Sequence, residues 1–231
     1  MTYKEDPSFG ELDIRTRKGE IFIKEEIEND VFTFHLKLDN KMKYYPGQYI
    51  LVEFNIENIG QVRAYTMVCS SLNQEIIELN IQKTEDPVTS HIITSYKVGD
   101  FIEFRGPFGK FALIDTKNID TLVFIAVNIG INPFISMLRY IEAAGLDLSV
   151  KMIYMWRYGD ILFEKELKRL GNSIRFNFEM VEDINKMENF DVLRNADRIY
   201  ICGEKAVTNP FIEILEKNDI NKNKIKLEQW F

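Results

Sequence analysis

Between residues 31 and 38 the chain alternates apolar Phe32, Phe34, Leu36 and Leu38 with Thr33, His35 and Lys37, the period-two pattern of a strand with one buried face. A shorter apolar run, Ile21-Phe22-Ile23, precedes it, and Tyr49–Phe54, Ile76–Gln82 and Phe101–Phe104 predict further strands. Pro46-Gly47, Asn58-Ile59-Gly60 and Gly99-Asp100 punctuate these runs as turns. Short strands separated by turn signals, with little helical periodicity, predict a small antiparallel β-barrel.

After about residue 115 the period changes. Leu122–Ala126 is an apolar run of strand length, followed by a helical pattern with Pro133 in its first turn, Ile135, Leu138 and Ile141 on one face, and Gly145 at its end. Val150–Met155 predicts a strand and Leu162–Leu170 a mixed-charge helix. Arg175–Met180 and Arg198–Cys202 predict two more strands, the latter leading into a helix from about Pro210 to Lys217. Strands alternating with helices imply βαβ units and a mainly parallel, doubly wound sheet. The expected organisation is therefore two domains, a barrel over residues 1–115 and an α/β domain over residues 116–231.

Composition narrows the chemistry. Hydrophobic residues make up 45% and charged residues 28%, the balance of a globular protein able to bury a real core. The net charge of −7 repels phosphate backbones and argues against nucleic acid as a partner. Two cysteines, Cys69 and Cys202, and two histidines, His35 and His91, are too few for an iron–sulfur cluster or a His/Cys zinc site, so no metal is expected. They also give no disulfide frame, and the reading is cytoplasmic. The N-terminal Met-Thr-Tyr-Lys-Glu-Asp lacks the apolar core of a signal peptide. The longest apolar stretch, Leu122–Leu138, is broken by Asn128, Asn132 and Pro133 and reads as strand, loop and helix, not as a membrane span.

Three segments carry candidate chemistry. Arg63-Ala64-Tyr65-Thr66 offers a planar cation, an aromatic face and a hydroxyl, although a plain alternating strand reads the same way. Asp86-Pro87-Val88-Thr89-Ser90 stands at a helix start, where free N–H groups and hydroxyls can hold an anion or simply cap the helix. Gly106-Pro107-Phe108-Gly109-Lys110-Phe111 is rich in turn residues and reads by itself as a hairpin.

In order and spacing, Pro46-Gly47-Gln48-Tyr49, Arg63-Ala64-Tyr65-Thr66, Pro87-Val88-Thr89-Ser90, Gly99-Asp100 and Gly106–Phe111 resemble the successive signatures of the ferredoxin–NADP reductase superfamily. The resemblance runs from about residue 20 to the end. It implies that Arg63, Thr89 and Ser90 hold the pyrophosphate of FAD, that Tyr65 packs on the isoalloxazine, and that Thr66 lies near its N5. It extends cofactor contact to Ala64 and Val88, and to Asn80, Ile81 and Gln82 through backbone atoms. Pro87 stands where a glycine is commoner in the family.

The second half is similar to the family's nicotinamide domain. Ala126–Phe134 matches its strand-to-helix loop, keeping Gly130 and Pro133 but carrying Val127, Asn128 and Ile129 in place of the usual small residues. Tyr200-Ile201-Cys202-Gly203 resembles the segment whose cysteine sits near the reacting nicotinamide, with Glu204 replacing a proline and Val207 a methionine. Arg157 matches an arginine near the adenosine phosphate. The terminal Trp230 or Phe231 is placed by the resemblance over the flavin ring, while a frayed or core-packed tail is the alternative.

The resemblance implies an FAD-dependent reductase moving electrons between NADH or NADPH and a ferredoxin-like protein or a small-molecule acceptor. Transfer from nicotinamide to flavin would occur beside Thr66 and Cys202, with no side chain required as acid or base. The alternative is an FAD-containing electron-transfer subunit that takes electrons from a protein partner and binds nicotinamide poorly, because Val127, Ile129 and Glu204 have altered its site. A non-catalytic protein retaining the fold is the third reading, and the intact Arg63, Tyr65 and Thr66 argue against it.

Overall fold

A computed structural model describes residues 12–28, 30–56 and 59–230, and the chain divides into two compact units between Thr116 and Lys117. The first unit contains β1 (Arg15–Glu28), β2 (Val31–Leu38), β3 (Tyr49–Ile56), β4 (Ile59–Thr66), β5 (Ile76–Gln82), α1 (Pro87–Ser95) and β6 (Phe101–Phe108). The six strands form one sheet in the order β4-β3-β6-β1-β2-β5, with every pairing antiparallel. A single antiparallel bridge, Met67 to Leu79, joins the end of β4 to β5 and curls the sheet into a barrel. Phe34, Leu36, Ile50, Met67, Ile77 and Phe104 fill its interior.

Of the alternation read in residues 31–38, Phe34, Leu36 and Leu38 form the buried face of β2 and Lys37 is exposed, whereas Thr33 is buried as well and Phe32 is only half-buried. The run Ile21-Phe22-Ile23 lies in the middle of a much longer strand. β1 serves two neighbours, pairing β6 through Arg15–Glu20 and β2 through Gly19–Glu28, with register shifts after Ile21 and Glu26. Its ends escape the sequence pattern because charged residues occupy its exposed face and the shifts break strict alternation.

The second unit contains β7 (Thr121–Val127), a 3-10 turn (Asn128–Ile131), α2 (Asn132–Ala143), β8 (Ser149–Met155), α3 (Glu164–Ser173), β9 (Phe176–Met180), α4 (Asp191–Asn195), β10 (Arg198–Glu204), α5 (Lys205–Lys217) and β11 (Ile225–Trp230). Its five strands are all parallel, in the order β11-β10-β7-β8-β9. From β7 the chain winds outward through β8 and β9, then returns to lay β10 and β11 on the other side. The order therefore reverses between β7 and β10, and such a reversal opens a crevice at the carboxyl ends of the two strands.

Two boundaries differ from the sequence pattern. α5 begins at Lys205 and carries Pro210 inside it, whereas the proline suggests a start near 210. Proline lacks an N–H, so its sixth position in the helix loses one backbone bond, which the buried Thr208, Phe211 and Leu215 of the same helix offset by packing. The tail is an ordered edge strand, β11, paired with β10 from Ile225 to Trp230. Lys226, Glu228 and Gln229 hide it from a hydrophobicity reading, because an edge strand needs little apolar surface.

The core of this unit predicts a large response to truncation. Phe124 is fully buried, stacks on Phe134 with centroids 4.8 Å apart and meets Tyr200 edge-on at 5.8 Å. Phe124→Ala should cost about 3–5 kcal/mol, read as a lower urea midpoint for the second unit. An unchanged midpoint would mean that this aromatic cluster does not hold the sheet.

Candidate functional site

The motif residues of the first unit gather where its barrel fails to close. Beyond the Met67–Leu79 bridge, β4 and β5 run on without ladder hydrogen bonds between them. Arg63 and Tyr65 are two apart on β4 and so share a face, while Ala64 and Thr66 take the other. Asn80, Ile81 and Gln82 end β5 on the opposite bank, with Asn80 and Ile81 buried and Gln82 half-buried. The chain then turns through Thr84 and Asp86 into α1, whose first residues are Pro87, Val88, Thr89 and Ser90.

Polar contacts at this seam centre on Arg63. Its Nε and Nη2 donate to Asp86 Oδ2 and Oδ1 at 2.9 and 3.2 Å, and its Nη1 donates to the carbonyl of Val62 at 3.0 Å. Asp86 also caps α1, accepting from the Val88 N–H at 2.9 Å. The Thr89 hydroxyl donates to the Asp86 carbonyl at 2.9 Å and lies 3.0 Å from the Thr84 hydroxyl. The hydrogen bond from Arg63, followed by the Val88 N–H, holds the Asp86 carboxyl below its ordinary range; the same pair raises Arg63 further. Burial pushes the Tyr65 phenol up, and its hydroxyl is a buried polar atom without a hydrogen-bond partner.

FAD fits this donor set. A guanidinium and a helix N-terminus face each other across the seam, which is what a pyrophosphate requires. The orphaned Tyr65 hydroxyl lies beside them and suits a polar ligand edge.

The second group of predicted residues meets at the crevice between β7 and β10. Val127 ends β7 and Cys202-Gly203-Glu204 ends β10. Gly130 is required by packing: a Cβ there would lie 2.4 Å from the Cys202 carbonyl oxygen and 3.0 Å from the Trp230 ring. A Cβ on Gly203 would lie 2.5 Å from the Val127 Cβ. Val127 itself turns into the core with Val123 and Ile125, so its branched side chain does not project into the crevice. The steric objection to a dinucleotide expected at Val127 is therefore misplaced. What occupies the crevice is Asn128, buried with φ at +51°, whose Nδ2 donates to Glu204 Oε1 at 2.9 Å. Asn128 Oδ1 and Glu204 Oε2 are buried without partners.

Pro133 is buried in the first turn of α2. Arg157 is exposed just beyond β8, with Nη2 3.6 Å from the Met155 sulfur. Phe231 lies outside the described residues, whereas Trp230 packs against Gly130 within this unit. The sequence marks Asp86 only as part of a helix start, not as the partner of Arg63, and Glu204 only as a replacement for a proline, not as the partner of Asn128. An Asp immediately before a proline at a helix start was the available signal for the first, and nothing local signalled the second.

Burial, reinforced by Glu228 and Glu204, pushes the Cys202 thiol well up, so it is a neutral thiol at neutral pH. Its neighbour across the ladder, Glu228, is pushed by burial from 4.5 up to about 7. A carboxyl that holds its proton longer when folded stabilises the fold fully below its unfolded pKa, and loses that stability as pH rises through the folded value. Glu228→Gln should therefore be more stable than wild type at pH 8, by on the order of 2–3 kcal/mol, and indistinguishable from it below pH 4.5. Thermal melts across that range check this, and a difference independent of pH would contradict it.

Comparison with known proteins places the first of these sites inside a known domain. Residues 18–113 match the oxidoreductase FAD-binding domain. The chain is 23% identical over 250 residues, 97% of its length and 70% of the relative's, to the reductase component of propane 2-monooxygenase from Mycolicibacterium goodii. It is 23% identical over 245 residues to the phenol 2-monooxygenase reductase component DmpP of Pseudomonas sp., covering 98% of this chain and 69% of that one. It is 31% identical over 140 residues, 59% of this chain and 42% of the relative, to NADH oxidoreductase HCR of Escherichia coli. Among solved structures, the FAD/NAD-binding domain of nitric oxide dioxygenase from Vibrio cholerae superposes with a TM-score of 0.81 at 18% identity, covering 93% of this chain and 98% of that one. Amycolatopsis cytochrome P450 reductase GcoB gives 0.84 at 16% identity over 95% and 71%. The antiparallel barrel and the parallel sheet that follows it are thus the fold shared with these solved structures, and residues 18–113 within the barrel match the oxidoreductase FAD-binding domain.

Proposed function

We propose that this protein is a reductase that binds FAD along the open β4–β5 seam, takes electrons from NADH or NADPH, and passes them to a protein acceptor of the oxygenase type. In this reading residues 1–115 hold the flavin and residues 116–231 the nicotinamide nucleotide. The observation that carries it is the placing of Arg63 and the α1 N-terminus on facing banks of the seam, within the segment that matches the FAD-binding family. Bound there, the flavin would supply the redox chemistry, accepting electrons in pairs and releasing them singly.

The chain's own residues bind and orient. Arg63, Thr89 and Ser90 would hold the pyrophosphate; Tyr65 would lie against the ring system; Asn80, Ile81 and Gln82 would line the flavin through their backbone; Ala64, Thr66 and Val88 would complete the contact. Gly130, Pro133, Arg157, Cys202 and Gly203 would receive the nicotinamide nucleotide at the β7–β10 crevice. Phe231 would cover the flavin ring, and the penultimate Trp230, against Gly130, would have to leave room for the nicotinamide nucleotide. Relatives named as reductase components of monooxygenases support an oxygenase partner. The same two free thiols support a cytoplasmic setting, and among the described residues no helix is long and apolar enough to cross a membrane.

One observation favours the second reading, an electron-transfer subunit that binds nicotinamide poorly. Glu204 places a carboxylate at the crevice, tied to Asn128, where a polyanionic ligand would have to approach. Anaerobic titration with NADH and with NADPH separates the two. Stoichiometric bleaching of the flavin by either nucleotide at micromolar concentration establishes the reductase, and an unbleached flavin leaves the subunit.

The seam geometry also predicts which flavin is bound. A pyrophosphate site retains FAD over FMN, so chromatography of the released cofactor should give FAD, and FMN alone would contradict the assignment. Arg63→Ala should weaken FAD retention roughly ten- to a hundredfold, the value of one charge-assisted contact.

A further inference from the structure

We infer that Asp86 is a built-in competitor for the FAD pyrophosphate, so that the exchange of its carboxylate for the cofactor sets how tightly this chain holds FAD. The inference rests on the flavoprotein reading above and concerns a residue to which that reading gives no role.

The geometry is that of an anion site already holding an anion. One oxygen of Asp86 takes the Arg63 Nε at 2.9 Å; the other takes Nη2 at 3.2 Å and the Val88 N–H at 2.9 Å. Those donors are a planar guanidinium fork and the first turn of a helix, the two elements that recognise a diphosphate. The third nitrogen of Arg63 is also engaged, with the Val62 carbonyl at 3.0 Å and Gln61 Oε1 at 3.4 Å. A pyrophosphate cannot take the guanidinium fork without displacing the carboxylate.

Displacement is feasible. Both side chains are about a third exposed, at 33% and 30%, so the freed carboxylate can turn into water. An ion pair at that exposure contributes little, and a pyrophosphate with two charged groups outcompetes one carboxylate for the same donors. The carboxylate nevertheless remains tethered beside the bound diphosphate, and its charge opposes the ligand in both the free and loaded states. Asp86 is thus a residue that lowers cofactor affinity, while its N-capping bond, which an asparagine or serine side chain could also make, keeps α1 in place.

The test removes the charge and keeps the cap. The flavin is stripped from the full-length chain, and wild type, Asp86→Asn and Asp86→Ser are titrated with FAD, ADP and riboflavin. Flavin fluorescence reads binding of FAD and riboflavin, and calorimetry reads ADP. Both variants should bind FAD roughly two- to fivefold more tightly than wild type, with a parallel gain for ADP, which carries the same diphosphate. Riboflavin, which has no phosphate, should show no gain. Unchanged or weaker FAD binding in both variants, in proteins whose melting temperatures match wild type, overturns the inference and makes Asp86 a positioning residue for Arg63. A gain shared equally by riboflavin overturns it as well, since the effect would not act through the anion site. Wild-type binding of FAD with no change in the variants leaves the flavoprotein reading standing; failure of all three proteins to bind FAD overturns both.

Discussion

A six-stranded antiparallel sheet has two edge strands, and their unpaired backbone groups must be matched by something. In this protein the edges β4 and β5 meet at one bridge, Met67 to Leu79, and then part. Everything proposed for the first unit follows from that incomplete closure. Were the ladder to continue, Arg63 and Tyr65 would be ordinary barrel positions facing β5. Because it stops, their side chains line an open seam, and α1, which directly follows β5, brings its N-terminus to the same place. The cation, the aromatic and the helix start are 23 residues apart in sequence between Arg63 and Asp86, and adjacent in space.

The second unit meets a different constraint with the same outcome. A parallel sheet wound outward from β7 in both directions must separate the two connections that leave its central strands, and the gap lies at the ends of β7 and β10. Two glycines allow the walls of that gap to approach, Gly130 against the Cys202 carbonyl and Gly203 against Val127. The space then left over is governed by Asn128 and Glu204. In each unit a side-chain carboxylate stands among the groups that a phosphate-bearing ligand would use, Asp86 in the first and Glu204 in the second. The two differ in consequence. Asp86 is about a third exposed, so it can move aside, whereas Glu204 is bonded to a buried, left-handed Asn128 that directly follows the central strand β7.

Much of this was legible in the sequence because it is periodic or local. β2 announces itself by alternating apolar residues, β7 and β8 by apolar runs of strand length, and α2 by helical spacing behind Pro133. Arg63, Tyr65 and the α1 start were legible as chemistry because each residue type has few physical reasons to occur in that order. What was not legible depends on distance. The full reach of β1 is set by two partners and two register shifts, and β11 by pairing with β10, neither of which leaves a hydrophobic trace. The inward direction of Val127 follows from the register of β7, so a substitution that looks obstructive in the loop sequence is a core residue in the fold. The Arg63–Asp86 and Asn128–Glu204 contacts join residues far apart in the chain, and no single-sequence pattern records them.

The central claim is that the β4–β5 seam, with the start of α1, is where FAD binds. Hydrogen exchange of the stripped protein with and without added FAD measures this directly. Slower exchange on loading, concentrated in the backbone amides of residues 62–66, 80–83 and 88–90, is the predicted result. Exchange unchanged across those segments while FAD is demonstrably bound would contradict the account.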